Sequence, residues 1–287
     1  MNAIFRHELR NYFHSLTAYV FGTFLLAVVG LGSMLYNLQA AVSNFEFVLS
    51  FASIIFVVIV PVLTMRTMAE ERRQRTDQLL YSLPITTTQV VLGKYLALLV
   101  VYLIPLAIIS LYPLLFSRFG DVYLPTSYGS LFAFFLMGAA LLAVGMFISS
   151  LTENQGFAAG IGIAVILLNY YSVSLAEYTS STAMGSLIAL YVIVLLLGVV
   201  IRNLTRNENL AYGVTFGLIA VLAVAYFFNS TAFEGLLPDI MTKLSLFRQF
   251  SSFVNGAFDL TAIVYYLSVM GFFLFLSVQS LEKRRYN

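Results

Sequence analysis

The stretch Met65–Tyr95, MRTMAEERRQRTDQLLYSLPITTTQVVLGKY, decides how the rest of the chain is read. Glu70, Glu71, Arg72, Arg73, Arg75 and Asp77 fall within eight residues, a density of charge that the hydrocarbon core of a bilayer cannot hold. Yet it begins on the heels of one apolar run, Phe51–Leu63, and leads straight into another, Val90–Leu115. A charged island between two such runs is a water-facing connector between membrane spans.

Composition places the whole chain in the same class. It has 287 residues, of which 60% are hydrophobic and 10% charged, with a mean hydropathy of +0.91. Soluble domains carry about 25% charged residues, so this is an integral membrane protein. It has no cysteine, which excludes disulfides, thiolate metal sites and a cysteine nucleophile. His7 and His14 are its two histidines, both near the N-terminus, which excludes a histidine-rich metal site.

A membrane-spanning helix needs about 20 apolar residues. The apolar runs divide into Thr17–Tyr36, Val48–Met65, Val90–Phe116, Tyr128–Ser149, Gly156–Val173, Met184–Ile201, Leu210–Phe228 and Thr261–Leu281. The chain is therefore expected to be an all-α polytopic helix bundle of about eight spans, with six as the alternative if two runs are re-entrant. Pro105 is a kink candidate in the third run. The fourth carries Gly138, Ala139, Ala140, Ala143 and Gly145, small residues that allow close helix approach. The first run is too long for the core of a signal peptide and is expected to stay as a span. Ahead of it, residues 1–15 place Ile4, Phe5, Leu9, Tyr12 and Phe13 near one helical face, with Arg6, His7, Glu8, Arg10 and Asn11 largely elsewhere. That pattern suits a helix lying in the membrane interface, the alternative being a frayed tail.

With a cytoplasmic N-terminus, eight spans put Arg6, Arg10, the Arg66–Lys94 cluster, Arg202, Arg206 and Lys283–Arg285 on one side, twelve of the fifteen Lys and Arg. The positive-inside rule therefore supports both termini in the cytoplasm of a plasma-membrane protein. On the other side the largest piece is residues 229–260, where Phe233, Leu236, Leu237, Ile240, Leu244 and Phe247 recur at helical spacing. It reads as one or two amphipathic helices that rest on the outer surface or cap the bundle.

No apolar run has an ionisable residue near its middle, which argues against an ion-coupled carrier and against an intramembrane acid–base enzyme. Asn169 is the most polar group at depth and is expected to make an interhelical hydrogen bond. Gly93-Lys94 ends like a phosphate-binding loop, but Thr88 stands where the first glycine belongs and Tyr95 replaces the Ser/Thr. No catalytic, cofactor or metal-binding residue is assigned, and no face suits nucleic acid. If ATP is used, another chain binds it.

Within the charged stretch, the second helix is expected to run on from Met65 through Gln78. Leu79, Leu80 and Leu83 then form an apolar patch before the break at Pro84. Thr86 and Gln89 fit a capping box that restarts the third helix. Leucines rimmed by charge are what a protein partner can bury; the alternative is that they fold onto the membrane.

The pattern AEERRQRTDQLLYSLPITTTQVVLGKY resembles that of ABC-2-type transporter permeases, particularly the branch of gliding-motility and nitrous-oxide-reductase-maturation permeases. Ile148–Gln155 (ISSLTENQ) and the C-terminal FVNGAFDLTAIVYYLSVMGFFLFLSVQSLEKRR support the resemblance, while the part between about Tyr170 and Asp239 matches less well. The resemblance implies that residues 1–287 are one transmembrane domain, which pairs with a second permease copy or a homologous permease, small-residue helix faces serving dimerisation. Two separate ATP-binding subunits would carry ATP and Mg. Residues 66–89 would be the coupling region, with Thr76–Leu83 seated in the ATPase, Glu70–Arg75 nearby, and the first, second and fifth spans rearranged by its motion. Glu70, Glu71, Arg72, Arg73, Arg75, Thr76, Asp77, Leu79, Leu80, Leu83 and Pro84 are the expected coupling residues. The uncharged interior favours export of an amphipathic, lipid-like or hydrophobic-peptide substrate. The alternative is a non-transporting anchor or sensor that docks a signalling ATPase.

Single cysteines in this cysteine-free chain test the span count. Eight spans require a membrane-impermeant maleimide to label Ser180→Cys from outside in intact cells, and Asn207→Cys only after the cytoplasmic face is opened.

Overall fold

Backbone N–H and C=O groups inside a bilayer must satisfy one another within their own segment, which makes helices of apolar runs. The computed structural model describes residues 2–75, 85–179, 181–205 and 208–285 and shows each of the eight runs as helix. In chain order the helices are α1 (Asn2–His14), α2 (Leu16–Ser33, continued by a π-helical segment over Met34–Gln39), α3 (Phe45–Ser53), α4 (Phe56–Thr64), α5 (Ala69–Gln74), α6 (Thr87–Ile109) and α7 (Leu111–Phe116). They continue as α8 (Leu124–Leu151), α9 (Gln155–Tyr178), α10 (Ala183–Thr205), α11 (Glu208–Phe228), α12 (Leu236–Lys243), α13 (Leu246–Val254) and α14 (Leu260–Arg285). Among the described residues six stretches are long and apolar enough to cross a membrane; α3 and the stretch of α4 with α5 are a pair bent by 58°, a seventh only if the two count as one span, and Ala183–Val199 is a shorter apolar helix. The protein is a polytopic membrane helix bundle.

The chain divides into two units. The first comprises Met1–Tyr170 and Leu246–Asn287. Its centre is α8, which buries 83% of its most apolar window within the protein, against 11–39% for the other five long spans. The small residues read from the sequence explain this. A side chain at Gly138 would strike the ring of Tyr102 from α6, and one at Gly145 would strike Thr64 from α4. Because these positions carry none, the neighbouring helices close in. Tyr102 is fully buried and its hydroxyl donates to the Phe134 carbonyl at 2.8 Å, while Tyr95 donates to Ala139 O at 3.0 Å. On α9, Gly162 likewise admits Pro61. The expectation that small-residue faces serve dimerisation is therefore corrected for Gly138, Gly145 and Gly162, whose missing side chains accommodate partners in the same chain.

The bend between α3 and α4 lies one to two turns ahead of Pro61, whose ring clashes with the carbonyl four residues back and cannot donate to it. Hydrogen bonds three residues apart close the break, Ile55 N to Ala52 O and Val57 N to Ile54 O, both 3.1 Å. By contrast α6 passes through Pro105 as continuous helix.

The other end of this unit is covered by α13. Its Phe250 ring packs on Phe134 of α8 at 5.8 Å, and Ser130 donates to Phe253 O at 2.9 Å. Asn169 accepts from the first backbone N–H of α13, Leu246 N, at 3.0 Å, an interhelical bond as the sequence suggested. Glu46, 1% exposed, accepts from Thr126 at 2.6 Å and Ser127 at 3.0 Å, tying α3 to the start of α8.

The second unit, Tyr171–Ser245, contains the end of α9, then α10, α11 and α12. Gly198 of α10 admits the Thr215 side chain of α11. Arg202 of α10 pairs with Glu208 of α11, both well exposed, so the pair adds little stability.

Overpacking a close helix crossing costs about 1–3 kcal/mol. Gly145→Ala is expected to lower the melting temperature in detergent, and Gly145→Ala/Thr64→Ala to recover part of it, because Thr64 Oγ1 and Cγ2 are gone while its Cβ stays close.

Candidate functional site

The described part of the charged stretch, residues 65–75, is held at one end of the first unit by α1, α6, α8 and α14. After α4 the chain does not run on as one helix through Gln78. It turns over Met65–Met68, resumes as α5, and ends at Arg75 in the left-handed conformation, with φ 56°. The reason is a side chain from elsewhere. Ser149 of α8 accepts from both Met68 N and Ala69 N at 3.2 Å and donates to Met65 O at 3.0 Å. One hydroxyl thus caps the new helix and satisfies the old one. The restart of α6 agrees with the sequence, as Thr86 accepts from Gln89 N at 3.3 Å.

Of the expected coupling residues, Glu70, Glu71, Arg72, Arg73 and Arg75 lie on or beside α5, whereas Thr76, Asp77, Leu79, Leu80, Leu83 and Pro84 lie outside the described residues. Arg73 and Arg75 are exposed and Glu70 is half-buried, accepting from Gln74 at 3.3 Å. Arg72 is buried and reaches Ser280 of α14 at 3.4 Å, and Ser280 in turn donates to Ser150 O at 3.1 Å. A second tie to α14 runs from Thr87 at the start of α6 to Glu282 at 2.8 Å.

The strongest charge interaction of the site is built on Lys94, about two turns into α6. Its side chain is 1% exposed, and its ammonium meets Glu8 of α1 at 2.6 Å, Glu71 of α5 at 2.7 Å and the Thr67 carbonyl at 3.1 Å. An ammonium has three protons, and here each has an acceptor from a different segment. Tyr12 lies beside this group. Thr67 Oγ1 donates to Thr64 O at 2.8 Å, so Tyr12 is the donor in its 3.2 Å bond to Thr67. Burial pushes the Tyr12 hydroxyl up to about 12, further from ionisation than an ordinary phenol.

Sequence reasoning missed Glu8, Lys94, Ser149, Ser280 and Glu282. Glu8 was placed away from the apolar face of the first helix; in the structure it shares that face with Phe5, Leu9 and Tyr12 and is buried. The spacing Phe5, Glu8, Leu9, Tyr12 is itself helical and carried the signal. So did Lys94, since a lysine inside an apolar helix calls for an anionic partner. Nothing local marks the three hydroxyl and carboxylate partners on α8 and α14.

A cavity of about 640 Å³ opens between α1 and residues 66–74, lined among others by His7, Glu8, Asn11, Arg66, Glu70 and Glu71. Among the described residues no group of three or more His, Cys, Asp or Glu is arranged to hold a metal ion. The site has the parts of a mechanical joint: rigid helix ends, a capped turn and a shared buried cation. A family model described as ABC-2 family transporter protein matches residues 26–175, just over half of the chain and including α5 and α6. No curated protein matches the chain.

Removing the cation alone should be costly, because two carboxylates are left without it. Lys94→Met is expected to destabilise the protein by about 3–5 kcal/mol, read as a lower melting temperature in detergent. Neutralising the whole group in Lys94→Met/Glu8→Gln/Glu71→Gln should recover most of that loss.

Proposed function

The chain belongs to the ABC-2 transporter family as a multi-pass membrane permease subunit, and from that premise we propose that it is an exporter driven by a separate ATP-binding subunit that docks on residues 66–89. The observation that carries the reading is the anchoring of α5. A short charged helix between two spans is held directly by α6, α8 and α14, and α1 is joined to the same group through Lys94, so a load applied to it is delivered to the bundle rather than lost in a loop. The sequence supports the same division of labour. Its residues carry no GxxxxGKS/T pattern and no ionisable group near the middle of any apolar run, which suits an arrangement in which an ATP-binding subunit supplies the energy.

Thr76–Leu83 is the segment we assign to the ATPase groove, with Leu79, Leu80 and Leu83 as its apolar contacts and Glu70–Arg75 beside it. ATP and Mg belong to the ATP-binding subunits, two of which serve a pair of permease chains. Several exposed apolar side chains of α2, including Leu16, Tyr19, Phe24 and Leu31, are available to lipid or to the second permease. The substrate is amphipathic, lipid-like or a hydrophobic peptide, a reading supported by the apolar spans. The likeness to gliding-motility and nitrous-oxide-reductase-maturation permeases rests on the pattern of residues 69–95 and the two further stretches.

Co-purification with the co-expressed ATP-binding subunit tests the docking assignment. Two charges placed in an apolar contact should weaken binding tenfold or more, about 1.4 kcal/mol at the least, so Leu79→Asp/Leu80→Asp is expected to lose the ATPase during gel filtration while wild type keeps it. A double variant that binds the ATPase and stimulates its turnover normally overturns the assignment. Stimulation with no vectorial release of substrate from vesicles would favour the anchor or sensor reading.

A further inference from the structure

Of the attachments of α5, one differs in kind from the rest. Ser149 caps it through neutral hydrogen bonds of 3.2 Å, and Arg72 reaches Ser280 at 3.4 Å. The contact of Glu71 with Lys94 is an ion pair at 2.7 Å, made to an ammonium that is 1% exposed. Charge-assisted bonds are shorter and stronger than neutral ones, and low solvent access strengthens them further. The same ammonium holds Glu8 of α1 at 2.6 Å and Thr67 O at 3.1 Å. Two parts of the chain that are far apart in sequence, α1 and residues 67–71, therefore share one charge, and that charge belongs to α6.

We propose that Lys94 is a positioning residue that passes movement of α5 to α6, so that α6 and α1 travel with the coupling segment. This rests on the reading that an ATP-binding subunit docks on residues 66–89. It differs from the route implied by the family resemblance, which sends motion into the first, second and fifth spans. The third span receives it here, because that is where the buried cation sits.

The surroundings suit such a joint. The Glu71 side chain is 24% exposed and Glu8 10%, and the 640 Å³ cavity lies on the side of both. Movement of α5 into that space keeps its carboxylates near water while Lys94 stays engaged. Beyond Lys94, α6 bonds to α8 through Tyr95 and Tyr102, so displacement of α6 is felt at the centre of the unit. The cluster is also over-supplied with negative charge, two carboxylates on one ammonium. Loss of Glu71 therefore leaves Lys94 paired with Glu8 rather than stranded.

The test cuts the tie from both ends and measures binding and coupling separately. Glu71→Ala removes it from α5. Lys94→Met/Glu8→Gln removes it from α6 and leaves Glu71 the more water-accessible carboxylate. For the complex with the co-expressed ATP-binding subunit, co-purification, melting temperature and permease-stimulated ATP hydrolysis are recorded for each variant and for the three substitutions together. Coupling between linked sites is commonly worth about fivefold or more. Each variant is expected to retain the ATPase and to lose about fivefold or more of the stimulation, and the combination should lose no more than either, since one tie is cut twice. Wild-type stimulation in Glu71→Ala overturns the proposal, and so do losses that multiply in the combination, which would place Glu71 on the docking surface itself. If Lys94→Met/Glu8→Gln does not fold, Glu71→Ala decides alone by the same criterion. Failure of wild type to hold any ATP-binding subunit overturns the docking reading instead, and is seen before any variant is compared.

Discussion

An ammonium removed from water must be given back its hydrogen bonds and an opposing charge, or it will not stay buried. Lys94 meets that requirement with Glu8, Glu71 and the Thr67 carbonyl, and much of the architecture around residues 66–75 follows from it. The first helix must lie where Glu8 can reach α6. The turn at Met65–Met68 must present a carbonyl inward, and α5 must be short enough to bring Glu71 back toward the bundle. Each of these segments supplies one of the three acceptors of the ammonium, so the group acts as a registration device that brings α1 and residues 67–71 to α6.

The second constraint is steric. Water is absent from the bilayer core, so apolar burial gives no driving force for helix association there and close packing has to supply it. In the first unit α8 supplies the space: Gly138 faces Tyr102 and Gly145 faces Thr64. The phenols of Tyr95 and Tyr102 then find backbone carbonyls of α8, which disposes of two buried polar groups without ionisable partners. The centre of this unit is thus both dense and uncharged. The short ion pairs on Lys94 lie instead beside the segment that we assign to the ATPase, while Glu46 of α3 is bonded by hydroxyls at the start of α8.

That separation suits the arrangement we propose, in which a separate ATP-binding subunit drives the permease. An apolar bundle can rearrange without dragging bare charges through lipid, provided that force enters at an end where charges can be paired. α5 has that position, with its N-terminus fixed by Ser149 and Arg72 bridging to Ser280. The permease family to which the chain belongs sets the class of function; in our proposal the anchored α5 is where the driving movement enters.

Periodicity and charge were enough to read the helices, their apolar class and the water-facing break, because each is written locally: runs of about 20 apolar residues, the density of charge at Glu70–Asp77, and Thr86 three residues before Gln89. The interhelical role of Asn169 was legible too, since a lone amide at depth must find a partner. The end of the second span was misread. Local propensity carries a helix from Met65 through Gln78, and the stop comes from Ser149, more than 70 residues away. Glu8 was misassigned because charge was weighed above spacing. By itself the sequence determined that this chain lies in a membrane as helices joined by a charged segment. Only the tertiary structure decided which carboxylates meet Lys94 and which hydroxyl caps α5, because those pairings depend on distances between segments, and no local pattern encodes such distances.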